Sequence, residues 1–179
     1  MKTWILLLRG INVGGNNIIK MADLRDILTD AGYANVRTYI QSGNIAFESR
    51  KTNASKICQH VQDCIEKSHG FAPKALVMDV ESVTDILANN PFPDAEDTPT
   101  LLHVCFLGQV PVDPNVEALN ALCRDTEFFK ITDTAVYLHL PEGIGKSKLA
   151  IQLEKHVGVP ITARNWRSAN KVLDLARLN

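Results

Sequence analysis

Arg9-Gly10-Ile11-Asn12-Val13-Gly14-Gly15-Asn16-Asn17 combines one guanidinium with three glycines and three asparagines. Glycine lets backbone N–H groups approach a ligand closely. Arginine presents a rigid fork of donors suited to carboxylate or phosphate. An apolar strand, Thr3–Leu8, leads into this loop, and a helix with Leu24, Ile27 and Leu28 on one face follows it. A helix N-terminus favours negative charge. The chemistry this stretch suggests is the holding of an anion, not the making or breaking of a bond.

Three other stretches carry comparable groups. Gln41-Ser42-Gly43-Asn44 offers amide and hydroxyl groups in a hairpin, although Ser-Gly-Asn is also ordinary turn chemistry. Pro141-Glu142-Gly143-Ile144-Gly145-Lys146-Ser147-Lys148 and Ala163-Arg164-Asn165-Trp166 place cations, an amide and an aromatic where helices begin. Gly145-Lys146-Ser147 invites comparison with a nucleotide-binding P-loop. That motif needs glycine where Leu140 stands, so the P-loop is rejected. Trp166 reads first as a core anchor and second as a stacking surface. Ser42 has no assignable histidine, and His60, His69, His103, His139 and His156 lack metal-ligand spacing. No nucleophile, acid–base pair, metal site or cofactor can be assigned.

The elements that must position these groups follow from periodicity. Strand Thr3–Leu8, helix Met21–Ala31, strands Val36–Ile40 and Asn44–Glu48, helix Asn53–Ser68 and strand Lys74–Met78 give βαββαβ, with a helix Ser82–Ala88 behind it. Asp94–Thr100 is acidic and turn-rich, the best candidate linker. The order then repeats. Strand Leu101–Leu107 precedes a helix opened by Asp113 as cap and Pro114 as first residue. Strands Glu127–Ile131 and Ala135–Leu140, helix Ser147–Val157, strand Pro160–Ala163 and helix Trp166–Leu178 complete it. The fold class expected is α+β, two tandem ferredoxin-like subdomains each followed by an extra helix: 1–93, linker 94–100, and 101–179. In that topology the loop after the first strand and the hairpin at 41–44 share one edge of the first sheet. The loops at 141–148 and 163–166 share one edge of the second.

The chain has 179 residues, 45% hydrophobic and 22% charged, as in an ordinary globular protein. Net charge is −1 and the sequence pI about 6.5, which argues against extended nucleic-acid binding. No apolar run is long enough to cross a bilayer, and Trp4–Leu8 lacks the features of a signal peptide. Cys58, Cys64, Cys105 and Cys123 show no paired spacing, so buried free thiols in a reducing cytoplasm are expected.

Four strings, Leu8–Gly15, Tyr39–Asn44, Leu140–Lys148 and Thr162–Trp166, resemble the bacterial family catalogued as domain of unknown function 1697. The resemblance covers nearly the whole chain and implies a pair of ferredoxin-like subdomains, but no activity. Position 16, often basic in that pattern, is Asn16 here, which removes a charge from the first loop.

Two functions from different classes remain. In the first, a small anionic ligand, phosphorylated or nucleotide-like, is held by Arg9, Asn12, Gly14, Gly15, Gln41, Ser42, Asn44, Lys146, Lys148, Arg164, Asn165 and Trp166. In the second, the chain is an RNA- or protein-binding module without catalysis, as other sheets of this kind are. Only 6% of residues are aromatic, and no Gly-Phe-x-Phe string of the RNA-recognition type occurs.

Overall fold

The computed structural model describes residues 1–178. In the first half, strand β1 (Lys2–Arg9) is followed by helix α1 (Met21–Asp30), strands β2 (Ala34–Tyr39) and β3 (Asn44–Ser49), helix α2 (Ala54–His69), strand β4 (Lys74–Asp79) and helix α3 (Val80–Ala88). The second half gives β5 (Leu102–Leu107), α4 (Val116–Leu122), β6 (Phe128–Ile131), β7 (Ala135–His139), α5 (Lys148–Val157), β8 (Ile161–Asn165) and α6 (Trp166–Arg177). The strands form two antiparallel four-stranded sheets, ordered β2-β3-β1-β4 and β6-β7-β5-β8.

Central position explains the composition of the first strand of each half. Trp4, Leu6 and Leu8 alternate onto one face of β1, against Leu24 and Leu28 of α1 and Ile57, Val61 and Ile65 of α2. Ile5 and Leu7, on the opposite face, are also fully buried. A strand buried on both faces must be apolar throughout. The four-residue spacing of Ile57, Val61 and Ile65 puts one stripe of α2 into this core, about 2 kcal/mol of burial for each side chain. In the second half, Cys105 and Leu107 of β5 pack with Leu119 of α4 and Leu149, Leu153 and Val157 of α5.

Local signals hold at α2, where the Asn53 side chain accepts from the N–H of Lys56 and the helix closes on Gly70. Elsewhere the structure departs from expectation. α4 starts at Val116 with Asn115 as its cap, the Asn115 side chain accepting from Ala118, so Asp113 and Pro114 lie outside the helix. α3 starts at Val80, two residues before the expected Ser82, because the Asp79 carboxylate accepts from the Ser82 N–H at 2.8 Å. β8 runs on to Asn165, since Arg164 and Asn165 pair with Val104 and His103 of β5. The acidic stretch near 94–100 contains a 3-10 turn, Pro93–Asp97.

By packing, the chain forms two compact units. One is Met1–Asp85 together with the segment from Asn170 onward, and the other is Ile86–Ala169. The divide falls inside α3 and again inside α6. In the first unit the Arg37 guanidinium of β2 donates to the Leu178 carbonyl, and Arg177 donates to the Thr84 hydroxyl at 2.9 Å. In the second, the Tyr137 hydroxyl of β7 donates to the Ile86 carbonyl at 2.6 Å. Among the described residues no helix is long and apolar enough to cross a membrane.

Candidate functional site: two fused loops at the edge of the first sheet

β1 and β2 run parallel with β3 returning between them, so the end of β1 and the turn between β2 and β3 lie at the same sheet edge. The two loops are bonded to each other. Asn12 Nδ2 donates to the Gln41 carbonyl at 2.9 Å and to the Ile19 carbonyl at 3.0 Å, while Asn12 Oδ1 accepts from the Ile19 N–H at 2.9 Å. The Leu8 N–H donates to the Gly43 carbonyl at 2.8 Å. Gly43 has φ +73°, and a Cβ there would stand 2.6 Å from the Cβ of Leu8, so the backbone approach requires glycine.

Within the first loop, Val13 and Asn16 form a bridge around Gly14 (φ +58°) and Gly15 (φ +77°), the paired positive φ values of a tight hairpin turn. The Asn17 amide donates to the Gly10 carbonyl at 2.9 Å. This turn ends before α1 begins at Met21, with Lys20 as a cap residue that makes no side-chain capping bond. The glycines therefore form a projecting tip and not the first turn of the helix.

Each predicted residue can now be placed. Arg9 closes β1, half-buried and in register with Lys74 of β4, so two cations neighbour each other at this edge. Gly14, Gly15, Gln41 and Ser42 are exposed. The N–H groups of Gly14 and Gly15 meet no acceptor among the described residues. Asn12 braces the loops. Asn44 is fully buried and donates to the Ser42 hydroxyl at 2.8 Å and the Tyr39 carbonyl at 3.3 Å, holding the turn from inside.

The second cluster is arranged differently. β7 and β8 both run antiparallel to β5, and the register sets His139 beside Leu102 and Asn165 beside His103, at one edge. Ser147 is buried and caps α5, its hydroxyl accepting from the Ala150 N–H at 3.1 Å. Asn165 caps α6, its Oδ1 accepting from Ser168 at 2.9 Å. Trp166 is 6% exposed, a core anchor and not an open stacking surface. Arg124, which sequence reasoning missed, pins the loop through 2.6 Å contacts with the Glu142 carboxylate and the Lys146 carbonyl. Lys146 and Lys148 point their charge from exposed positions. Arg164 donates to the Ala163 carbonyl at 2.8 Å, and burial pulls its pKa down to about 10, leaving it cationic at neutral pH.

The cysteines are free, but only Cys105 is fully buried; Cys58, Cys64 and Cys123 are half-buried. Burial pushes the Cys58 and Cys123 thiols up, which lowers their reactivity. Among the described residues no group of three His, Cys, Asp or Glu side chains is placed to hold a metal ion.

A two-sheet α+β protein with a braced polar loop pair at one sheet edge is thus the class this chain represents. The family described as "Protein of unknown function (DUF1697)" matches residues 1–137, and the chain belongs to that family. A solved structure, described as that of the conserved bacterial protein SP0830 from Streptococcus pneumoniae, is similar at 25% identity with a TM-score of 0.78. The match covers 98% of this chain and 99% of that one. No curated protein matches the chain.

Proposed function

We propose that the protein binds a small anionic ligand, phosphorylated or nucleotide-like, at the fused loops 9–17 and 41–44. One observation carries the reading. Among the described residues four non-glycine positions have positive φ; two of them, Asn12 and Asn17, lie in the first loop and a third, Ile40, leads directly into the second. Such conformations cost of order 1–3 kcal/mol each, most for a β-branched residue, and they cluster at binding sites. The hydrogen bonds of Asn12, Asn17 and Asn44 hold the strain in place. Arg9 supplies charge, while the N–H groups of Gly14 and Gly15 and the side chains of Gln41 and Ser42 supply oriented contacts.

The strand orders and the repeated βαββαβ succession support reading each half as ferredoxin-like. The free cysteines support a reducing, cytoplasmic setting. Lys146, Lys148 and Arg164 are a separate set of cations to be tested apart from the first loops.

Thermal-shift measurements with nucleotides, sugar phosphates and short RNA test the proposal. A ligand at 100 times its Kd adds about 2.7 kcal/mol of stability. A shift from a phosphorylated compound that disappears in Arg9→Ala supports it; no shift from any of these compounds removes it.

A second reading, a protein-binding module, is favoured by exposed apolar side chains in and beside the same loops. Val13, Ile18 and Ile40 are 66%, 55% and 52% exposed. Capture of a defined protein that is lost in Val13→Ser/Ile40→Ser would favour that reading over the first.

A further inference from the structure

We propose that Arg50, Lys51 and Lys56 form a second, separate site in the first unit that binds the phosphate group of a small molecule, with His60 as its reporter. The segment Ser49-Arg50-Lys51-Thr52-Asn53-Ala54-Ser55-Lys56 holds three cations, and no carboxylate occurs between Glu48 and Asp63. Two grooves meet at Lys51. One, of about 410 Å³, is lined by Lys51, Thr52, Asn53 and Lys56. The other, of about 330 Å³, is lined in part by Tyr33, Ser49, Arg50 and Lys51. Neither lining contains Asp or Glu. Among the described residues none of the three cations is in an ion pair. The N-terminus of α2 is already capped by Asn53, so the attraction resides in the three side chains.

Lys51 has an unusual partner. Its Nζ lies 2.9 Å from His60 Nδ1, and the Tyr33 hydroxyl lies 2.8 Å from the same nitrogen. Lys51 also sits 5.4 Å from the centroid of the Tyr33 ring. An ammonium only donates, so Nδ1 presents its lone pair and the His60 proton is on Nε2. Two donors then compete for one lone pair. Lys51 is held by a neutral nitrogen and a ring face, with no counter-charge. A phosphate oxygen is the stronger, charge-assisted acceptor. When phosphate takes Lys51, the Tyr33 hydroxyl becomes the sole partner of His60 Nδ1, and the imidazole registers binding. The site shares no residue with the loops at 9–17 and 41–44, so it stands or falls independently of the function proposed there. The chain's net charge of −1 favours a small phosphorylated molecule over a nucleic-acid backbone.

The test is NMR of the full chain with 15N-labelled histidine, titrated with pyrophosphate at constant ionic strength set by chloride. A saturable change at the His60 nitrogens is expected, weakened about tenfold or more in Lys51→Gln/Lys56→Gln. It should be retained in Lys51→Arg and unchanged in Arg9→Ala, with backbone amide spectra confirming that each variant is folded. No saturable change, an unaltered one in Lys51→Gln/Lys56→Gln, or its loss in Arg9→Ala would overturn the proposal. A ten-nucleotide RNA serves as the second arm: binding tighter than pyrophosphate and rising with RNA length would overturn the small-molecule assignment.

Discussion

Asn12 Nδ2 lies 2.9 Å from the main-chain oxygen of Gln41, across 29 residues of sequence. That bond joins the loop leaving β1 to the turn leaving β2, and its donor is a residue with φ +54°. The polar edge of the first sheet is therefore one braced unit, in which the exposed groups of both loops keep fixed relative positions. Preorganisation of this kind lowers the ordering cost of binding.

Replacing Asn12 separates its two contributions. Asn12→Ala removes three side-chain bonds and keeps an unfavourable backbone, and should cost about 2–4 kcal/mol in urea unfolding. Asn12→Gly also loses the bonds but tolerates the φ, and should recover about 1 kcal/mol of that loss. Equal stability of both variants and the parent protein would show that the brace contributes nothing.

Gly43→Ala is expected to be disruptive for a steric reason. Its Cβ would lie 2.6 Å from the Cβ of Leu8 and 3.3 Å from the Leu8 Cα, atoms of a central strand that cannot move aside. A loss of about 2 kcal/mol or more is predicted, with ligand shifts in the fused loops also reduced. A midpoint unchanged within about 0.5 kcal/mol would contradict the packing described.

Ser147→Ala and Asn165→Ala test whether these residues serve helices or ligand. Each removes a cap and should lower stability by about 1 kcal/mol. Any anion-induced thermal shift arising from the first-sheet loops should persist in both. Loss of that shift with no change in stability would make them ligand contacts.

Asp79 has its pKa lowered to about 2, chiefly by the Ser82 side chain, then by Lys2 and the Ser82 N–H. Because the folded value lies below the ordinary value of about 3.9, its stabilising contribution is present above that value and is lost as pH falls toward 2. Acid titration of unfolding should therefore show a shallower decline between about pH 4 and pH 2 in Asp79→Asn than in the parent protein. Parallel curves would show that the carboxylate is not held as described.

Much of the fold was legible because its signals are local or periodic. The all-apolar β1 announces a central strand, the stripe Ile57, Val61, Ile65 announces α2, and Asn53 and Gly70 mark its ends. What sequence could not show depends on partners distant in the chain. Arg164 and Asn165 extend β8 only because β5 lies alongside. Among the candidate site residues, Arg9, Gly14, Gly15, Gln41 and Ser42 are gathered at one edge. Asn12, Asn44, Asn165 and Ser147 look the same in sequence, yet their side chains are occupied in bracing and capping. An amide that binds and an amide that braces differ only in what surrounds them. Arg50, Lys51 and Lys56 carry no motif in the sequence, and the contact of Lys51 with His60 and Tyr33 needed the fold.

The most direct test of anion binding at the fused loops is an amide NMR titration of the full chain with inorganic phosphate, ATP and a sugar phosphate. Saturable shifts centred on Gly14, Gly15, Gln41 and Ser42, abolished in Arg9→Ala, are the predicted result. Saturating additions that leave those four amides unmoved, or move them equally in Arg9→Ala, would contradict it.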